Sequence, residues 1–104
     1  MYGFELLIDT CRQQSNQKIV ITHGTDTILE TARDLLVIKD KTIVLTGAMR
    51  PERFANSDAP INLGVAIGSV QSLPNGVYVA MHGQTSLAEQ MTRDLETGQF
   101  IKKD

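Results

Sequence analysis

The sequence predicts an α/β fold in which a parallel sheet carries helices on both of its faces. Three short runs rich in β-branched residues alternate, over 104 residues, with stretches that have helical periodicity. Continuous apolar runs are typical of strands buried on both faces, and their alternation with helices is typical of a parallel sheet. The hydrophobic fraction of 41% and the charged fraction of 21% are ordinary for a globular protein. We therefore expect one α/β domain over residues 1–104.

The first half of the chain contains two of these strands. Apolar residues at helical spacing predict an amphipathic helix over about residues 2–13. The run KIVIT predicts a buried strand over Lys18–Thr22, and the polar turn that follows it leads into a helix over about residues 27–38. The run TIVLT predicts the next buried strand, Thr42–Thr46. Because the predicted order opens on a helix, we expect that another strand normally precedes it in this fold.

The second half supplies the third strand and a less regular end. A long connection, residues 47–59, leads to a helix that starts at Pro60, since proline tolerates the first helical turn. This helix extends to about residue 70 and is apolar on most of its circumference. The run VYVAM predicts a buried strand over residues 77–81. We expect a helix or loop over residues 87–96 and a short strand over residues 99–102.

Composition excludes several classes of partner. A net charge of −2 offers no basic face for nucleic acid. No apolar run is long enough to cross a bilayer, so no membrane partner is expected. The single cysteine, Cys11, allows no intrachain disulfide and is interpreted as a packed thiol. Acidic Glu5 and Asp9 near the start do not fit a secretory signal, and we expect a cytoplasmic location. We expect neither a cofactor nor a metal site.

Three polar clusters follow the three predicted strands, at residues 23–27, 47–50 and 82–85. In open parallel sheets, ligands bind beyond the carboxyl ends of the strands. The first cluster is the most suggestive, because a glycine turn is followed by two threonines that flank an aspartate. The alternative is that Thr25 or Asp26 only caps the following helix, which both residue types favour. On the residues alone, we interpret His23 as structural.

Four blocks of sequence resemble the bacterial-type L-asparaginase family. The block ITHGTDT, residues 21–27, is similar to that family's HGTDT signature. The blocks VLTGAMRP at residues 44–51, SDAPINL at residues 57–63 and GVYVAM at residues 76–81 resemble the blocks that follow it. The four occur in the family's order and cover most of residues 18–81. The resemblance implies a flavodoxin-like α/β fold with a ligand cleft at the strand ends.

The resemblance also implies roles for individual residues. Thr25 is similar to the threonine that lies against the scissile amide and acts as nucleophile or holds the attacking water. Asp26 corresponds to the carboxylate that pairs with the substrate's α-ammonium group, next to the turn at Gly24. The main-chain carbonyl of Ala48 corresponds to an acceptor for the carboxamide nitrogen. Arg93 stands where the family has a lysine that relays the proton of the threonine.

The sequence departs from the family at its start. The family's domain opens with a strand and a TGGT-type turn that carries the first catalytic threonine, and no such segment occurs in these residues. The family's serine for the substrate carboxylate and its C-terminal domain also have no counterpart. The chain therefore resembles the middle and end of a short, single-domain member of the family. An unpaired strand edge invites a partner, so we expect a homo-oligomer.

Three functions are consistent with these observations. The first is an asparaginase-type amidohydrolase that converts L-asparagine and water to L-aspartate and ammonia, with impaired activity. The second is a non-catalytic module of the same fold that serves in binding or assembly; Arg93 and the missing threonine favour it. The third is the related domain of the archaeal-type amidotransferase, against which the lack of an appended domain argues. In each case the expected ligand is a small amino acid, asparagine or aspartate.

Overall fold

A sheet of four strands forms the centre of the computed structural model, which describes residues 10–50 and 56–103. Its strands lie in the order β1–β2–β3–β4, which is also their order along the chain: β1 Lys18–Thr22, β2 Thr42–Thr46, β3 Gly76–Met81 and β4 Gln84–Leu87. The first three are parallel, as the sequence predicted. The predicted helix over residues 2–13 is described only in part: residues 10–13 are helical, and the rest lies outside the described residues.

The register of the parallel strands brings their carboxyl ends to one edge of the sheet. Thr22 lies opposite Thr46 on the neighbouring strand, and Thr46 in turn lies opposite Ala80. The segments that follow the three strands therefore start at the same level. This placement confirms the prediction that the polar clusters gather at one edge.

Helices cover both faces of the sheet. Helix α1 comprises Ile28–Asp34 and tightens into a 3₁₀ turn at Leu35–Val37, close to the predicted span. Helix α2 comprises Ala59–Ser72 and has Pro60 in its first turn. The core on the α1 face includes Ile28, Ala32, Leu35, Ile43, Leu45, Val77, Val79 and Met81. The core on the α2 face is formed by Val44, Ala66, Val70, Tyr78 and Ala80.

Strand β2 shows why these runs are apolar throughout. Successive side chains of a strand point to opposite faces, and both faces of this sheet are covered by helices. Accordingly, Ile43 and Leu45 pack on the α1 side while Val44 packs on the α2 side. All five residues of β2 are buried. A strand with water on one face would show alternating polar residues instead.

The end of the chain differs from the prediction. Strand β4 runs antiparallel to β3, so the sheet is mixed and not purely parallel. The helix or loop predicted over residues 87–96 was wrong: only Ala88–Gln90 form a 3₁₀ turn, and β5, Met91–Arg93, follows directly. Strand β5 pairs with β6, Phe100–Lys102, in an antiparallel ribbon, which confirms the strand predicted near residue 99.

Cys11 is a packed thiol, as predicted. It is buried in the core on the α1 face. Burial raises the pKa of its thiol, and the nearby charge of Lys41 offsets only part of this effect. A thiol with a raised pKa is a poor nucleophile, so Cys11 contributes packing and not chemistry. Within residues 10–50 and 56–103, no helix is both long enough and apolar enough to cross a bilayer.

Candidate functional site

The turn after β1 is held by backbone and imidazole hydrogen bonds. The amide of His23 donates to the carbonyl of Thr46 at 2.9 Å, which extends the pairing of β1 with β2 by one residue. Nδ1 of His23 lies 2.7 Å from the Gly24 carbonyl and must donate, since a carbonyl only accepts. Nε2 then accepts from the hydroxyl of Thr31 at 3.0 Å. These bonds support the structural interpretation of His23.

Neither threonine nor aspartate of this turn is used to cap helix α1. The N-cap residue is Thr27, and it makes no side-chain capping bond. The alternative that Thr25 or Asp26 is only a cap is therefore wrong. The side chain of Asp26 is 97% exposed and directed to solvent. The side chains of Thr25 and Asp26 therefore do not cap helix α1.

The turn after β2 lies directly against the turn after β1. A Cβ atom at Gly47 would lie 2.4 Å from the carbonyl oxygen of His23 and 3.3 Å from Cγ2 of Thr25. Only glycine permits this approach. The next residue is Ala48, so its main chain follows a segment fixed against Thr25. The structure brings these predicted residues to the same edge of the sheet.

The carboxylate of Asp58 holds the segment that follows Ala48. It accepts from the amides of Met49 and Arg50, both at 2.9 Å. The side-chain amide of Asn62 donates at 2.9 Å to Asp58 and at 2.9 Å to the carbonyl of Gly47. Sequence reasoning gave Asp58 no role; its one signal was the position of the Ser-Asp pair just before Pro60. Asp58 and Asn62 together fix the loop that carries Ala48.

These hydrogen bonds shift the ionisation of Asp58. Partial burial pushes the pKa of its carboxyl upward, but the amides of Met49 and Arg50 and the side chain of Asn62 outweigh this effect. The pKa is therefore lowered from its usual value of 3.8. The loop therefore stabilises the charged carboxylate of Asp58 relative to its protonated form.

Replacing Asp58 with asparagine is expected to lower the free energy of unfolding by about 1 kcal/mol at neutral pH, because charge-assisted bonds to the loop are lost and solvent screens part of their strength. Since the folded-state pKa is lowered, this stabilisation is fully present above 3.8 and disappears as the pH falls through the folded-state value. Urea denaturation from neutral to acid pH measures it. The exposed Asp40→Asn variant is the control, and a difference from wild type that stays constant in acid would contradict the prediction.

Arg93 is brought to the first turn from the ribbon at the end of the chain. Its Nη1 donates to the main-chain carbonyl of Thr25 at 3.2 Å and lies 3.5 Å from the carboxylate of Asp26. Its Nε donates to the carbonyl of Gly98 at 2.7 Å, and its guanidinium lies 5.1 Å from the centre of the Phe100 ring. The arginine therefore contacts Thr25 and Asp26, and its bond reaches the main-chain oxygen of Thr25 and not the hydroxyl.

The predicted site residues border two cavities. A cavity of about 740 Å³ is lined by Gly24 and Ala48, among others, at the ends of β1 and β2. A smaller cavity of about 230 Å³ is lined by Thr25, Asp26 and Arg93, among others. The larger cavity is also lined by residues of α2 and the smaller one by residues of α1, so the turn after β1 lies between them. In the part of the chain that the structure describes, no group of three or more metal-binding side chains occurs.

Comparison with known proteins identifies related sequences. The family model described as "Asparaginase, N-terminal" matches residues 5–99. A glutaminase-asparaginase of Acinetobacter glutaminasificans is 39% identical over 102 residues, which are 91% of this chain and 31% of the relative. A glutamyl-tRNA(Gln) amidotransferase component of Methanococcus maripaludis is 44% identical over 69 residues, which are 64% of this chain and 16% of that protein.

A solved structure shows the same fold. The thermostable L-asparaginase from Thermococcus kodakarensis superposes with a TM-score of 0.85 at 30% sequence identity. The superposition covers 95% of this chain and 32% of that protein. The chain thus spans about a third of the length of the glutaminase-asparaginase and of this L-asparaginase.

Proposed function

Because this chain belongs to the asparaginase family, we propose that the carboxyl ends of β1 and β2 form an asparaginase-type amidohydrolase site. Its substrate is a small amino acid with a side-chain amide. The reaction is hydrolysis of L-asparagine to L-aspartate and ammonia. The observation that carries this proposal is the direct contact between the turns after β1 and β2. That contact fixes Thr25 next to the main chain that leads to Ala48.

Each proposed role follows from the chemistry of the group. The hydroxyl of Thr25 attacks the amide carbon, or holds the attacking water, once a base has taken its proton. The carboxylate of Asp26 is exposed and accepts hydrogen bonds from the α-ammonium group of the substrate. The carbonyl of Ala48 accepts from the carboxamide nitrogen, and Gly24 lets the main chain turn beside the ligand. The loop that carries Ala48 is held by Asp58, so the acceptor is placed before the substrate binds.

Arg93 positions the first turn but does not take part in proton transfer. A guanidinium stays protonated at any ordinary pH, so it cannot accept the proton of Thr25. Its hydrogen bonds to Thr25 and Gly98 tie the ribbon to the turn. Its positive charge stabilises negative charge that develops nearby.

The second candidate is a module of the same fold that binds the amino acid without hydrolysing it. The observation that favours it is the hydrogen bond from Arg93 to the main-chain carbonyl of Thr25. Arg93 therefore offers no proton acceptor to the hydroxyl of Thr25. Binding by Asp26 does not depend on that proton. The amidotransferase relative matches a shorter stretch of the chain, and no feature of the site favours an amidotransferase role.

The proposed location is the cytoplasm, which is supported by the likeness to a solved structure described as a probable cytoplasmic L-asparaginase from Campylobacter jejuni, at 32% sequence identity. Self-association is proposed as well, because among the strands that the structure describes β1 pairs only with β2.

Replacing Asp26 with asparagine is expected to weaken the binding of L-aspartate and L-asparagine at least about tenfold, since a charge-assisted bond to the ammonium group is lost. Isothermal titration calorimetry on the full chain measures this loss. Asp40→Asn is the matched control, because it removes an equal charge just before the amino end of β2, at the opposite end of the sheet. Equal binding by the two variants would show that Asp26 does not hold the ligand.

A further inference from the structure

The turn after β3 is the one polar cluster at the strand ends to which the proposed function gives no role. Its first residue, His82, follows Met81 directly at the carboxyl end of β3. The φ of His82 is 56°, and in the part of the chain that the structure describes no other residue except glycine has a positive φ. Such a conformation costs free energy in a residue with a side chain, and it persists where surrounding contacts hold it. The contacts of the imidazole therefore indicate why a histidine occupies this position.

The imidazole of His82 takes the place of a strand partner for β6. The amide of Phe100 donates to Nε2 of His82 at 3.1 Å. A backbone N–H only donates, so Nε2 carries no proton and the neutral ring has its proton on Nδ1. Phe100 lies opposite Arg93 in the ribbon, and the next amide, that of Asp94, donates to the carbonyl of Gln99 at 2.8 Å. Hydrogen-bonded and non-hydrogen-bonded pairs alternate in an antiparallel ladder, so the Phe100 amide points out of the ribbon, towards His82.

Phe100 links His82 with Arg93. The two residues of a non-hydrogen-bonded pair lie close to each other, and the guanidinium of Arg93 is 5.1 Å from the centre of the Phe100 ring. This distance is typical of a cation–π contact. The ring of His82 is also near, with its centre 6.1 Å from that of the Phe100 ring, and Phe100 is buried. The place of β6 on the sheet therefore determines where the guanidinium lies.

We infer that His82 is a positioning residue for the ligand turn, which we define as Thr25 and Asp26. The neutral imidazole holds β6, and β6 holds the guanidinium of Arg93 through Phe100. Arg93 in turn donates to the carbonyl of Thr25 at 3.2 Å and lies 3.5 Å from the carboxylate of Asp26. His82 therefore acts on the ligand turn without touching the ligand. The ligand in this inference is the amino acid of the proposed function, on which the inference rests.

Protonation of His82 removes this anchor. An imidazolium donates from both nitrogens, so Nε2 no longer accepts from the amide of Phe100. The other charged groups around the ring are Arg50 and Asp58, which line the same cavity of about 450 Å³, and Arg93 beyond the Phe100 ring. Arginine and aspartate side chains keep their charge between about pH 5 and pH 8, whereas a histidine changes its charge there. The ligand turn is therefore expected to lose its support as the pH falls through this range.

Two substitutions separate the acceptor of His82 from the strain of its backbone. His82→Gln brings an amide oxygen to the place of Nε2 and His82→Met brings a methyl group there, while neither residue favours a positive φ. At pH 8, His82→Met is expected to weaken the binding of L-aspartate at least about fivefold and His82→Gln less than about twofold, because only the first loses the bond to Phe100. Isothermal titration calorimetry on the full chain measures both affinities, and circular dichroism checks that both variants fold.

The pH profile distinguishes positioning by a neutral imidazole from simple packing. The affinity of the wild type is expected to fall from pH 8 to pH 5 more than that of His82→Gln, whose amide does not change its charge. Both proteins keep His23, so the difference between the two profiles belongs to His82. Equal affinities of His82→Gln and His82→Met at pH 8, or equal profiles of His82→Gln and the wild type, overturn the inference.

Nuclear magnetic resonance tests the link in the unliganded chain. Long-range ¹H–¹⁵N spectra of the wild type at pH 8 are expected to show a proton on Nδ1 of His82 and none on Nε2. The amide nitrogen of Asp26 shares a peptide unit with the carbonyl of Thr25, so its chemical shift reports the bond from Arg93. This shift is expected to move in His82→Met and to stay near the wild-type value in His82→Gln. A proton on Nε2, or equal shifts in both variants, overturns the inference. The expected shifts together with a wild type that binds no L-aspartate would confirm the link and contradict only the proposed function.

Discussion

A polypeptide of residues 1–104 is expected to release ammonia from L-asparagine at least about a thousandfold more slowly than the glutaminase-asparaginase of Acinetobacter glutaminasificans in the same assay. Its 104 residues contain no TGGT-type segment, and removal of one member of a catalytic unit commonly costs several orders of magnitude. Arg93 adds to the deficit, because it cannot accept the proton of Thr25. Coupled spectrophotometric detection of ammonia measures the rate.

Two variants separate the contributions of Thr25 and Arg93 to the rate. Thr25→Ala is expected to remove the residual turnover, because the hydroxyl of Thr25 is the proposed nucleophile. Arg93→Lys supplies a side chain that can lose a proton, but it is also expected to give little activity while the other nucleophile is missing. Fast turnover by the wild type that Thr25→Ala abolishes would contradict the prediction and show that Thr25 suffices. Where the gene encodes a TGGT-bearing segment upstream, its addition is expected to restore activity.

The centre of the sheet could be predicted from the sequence because its physical environment is uniform. Strand β2 is covered on both faces, so every one of its residues is buried and the run TIVLT contains no alternation to misread. The helices between the strands have one buried side, which gives the periodicity that identifies them. Pro60 marks the start of α2 because its ring fits only the first turn. Burial on both sides therefore produced the clearest pattern.

The end of the sheet could not be predicted for the converse reason. Strand β4, with the sequence QTSL, is polar and partly exposed, so it has no apolar run. The turn before it is formed by His82 and Gly83, with φ of 56° and 75°. Two consecutive residues with positive φ are typical of a type I′ hairpin, but the usual sequence signal is Asn-Gly or Asp-Gly. Tertiary contact holds His82 in this conformation, since its Nε2 accepts from the amide of Phe100 at 3.1 Å.

The shared sheet edge of these residues could be predicted from the sequence, but the hydrogen bonds around them could not. The motifs indicated that Thr25, Asp26 and Ala48 share one edge, because they follow neighbouring parallel strands. That Arg93 would bond the main chain of Thr25 depends on the path of the β5–β6 ribbon, which no local pattern specifies. The hydrogen bonds that Asp58 accepts from the loop after Ala48 likewise join positions that are separated in the sequence. Contacts of this kind follow from the fold and not from periodicity.

Replacing Gly47 with alanine is expected to lower the free energy of unfolding by about 2 kcal/mol or more. The new Cβ would lie 2.4 Å from the carbonyl oxygen of His23, and this oxygen belongs to backbone that cannot rotate away. The amide of His23 is bonded to Thr46, so a shift of the turn also strains the end of the β1–β2 ladder. For a domain of this size the loss corresponds to a fall in Tm of roughly 10 °C, which calorimetry measures.

Gly68→Ala provides the matched comparison, with the opposite sign expected. Nothing lies within 4 Å of a Cβ atom at Gly68, and the residue is in the middle of α2. Alanine there limits the unfolded chain and favours the helix, so stability is expected to rise by about 0.5–1 kcal/mol. The same added methyl group thus destabilises at Gly47 and stabilises at Gly68, because only Gly47 holds the two turns in contact. Equal Tm values for the two variants would show that the turns separate easily, and that Thr25 and Ala48 are not held in a fixed arrangement.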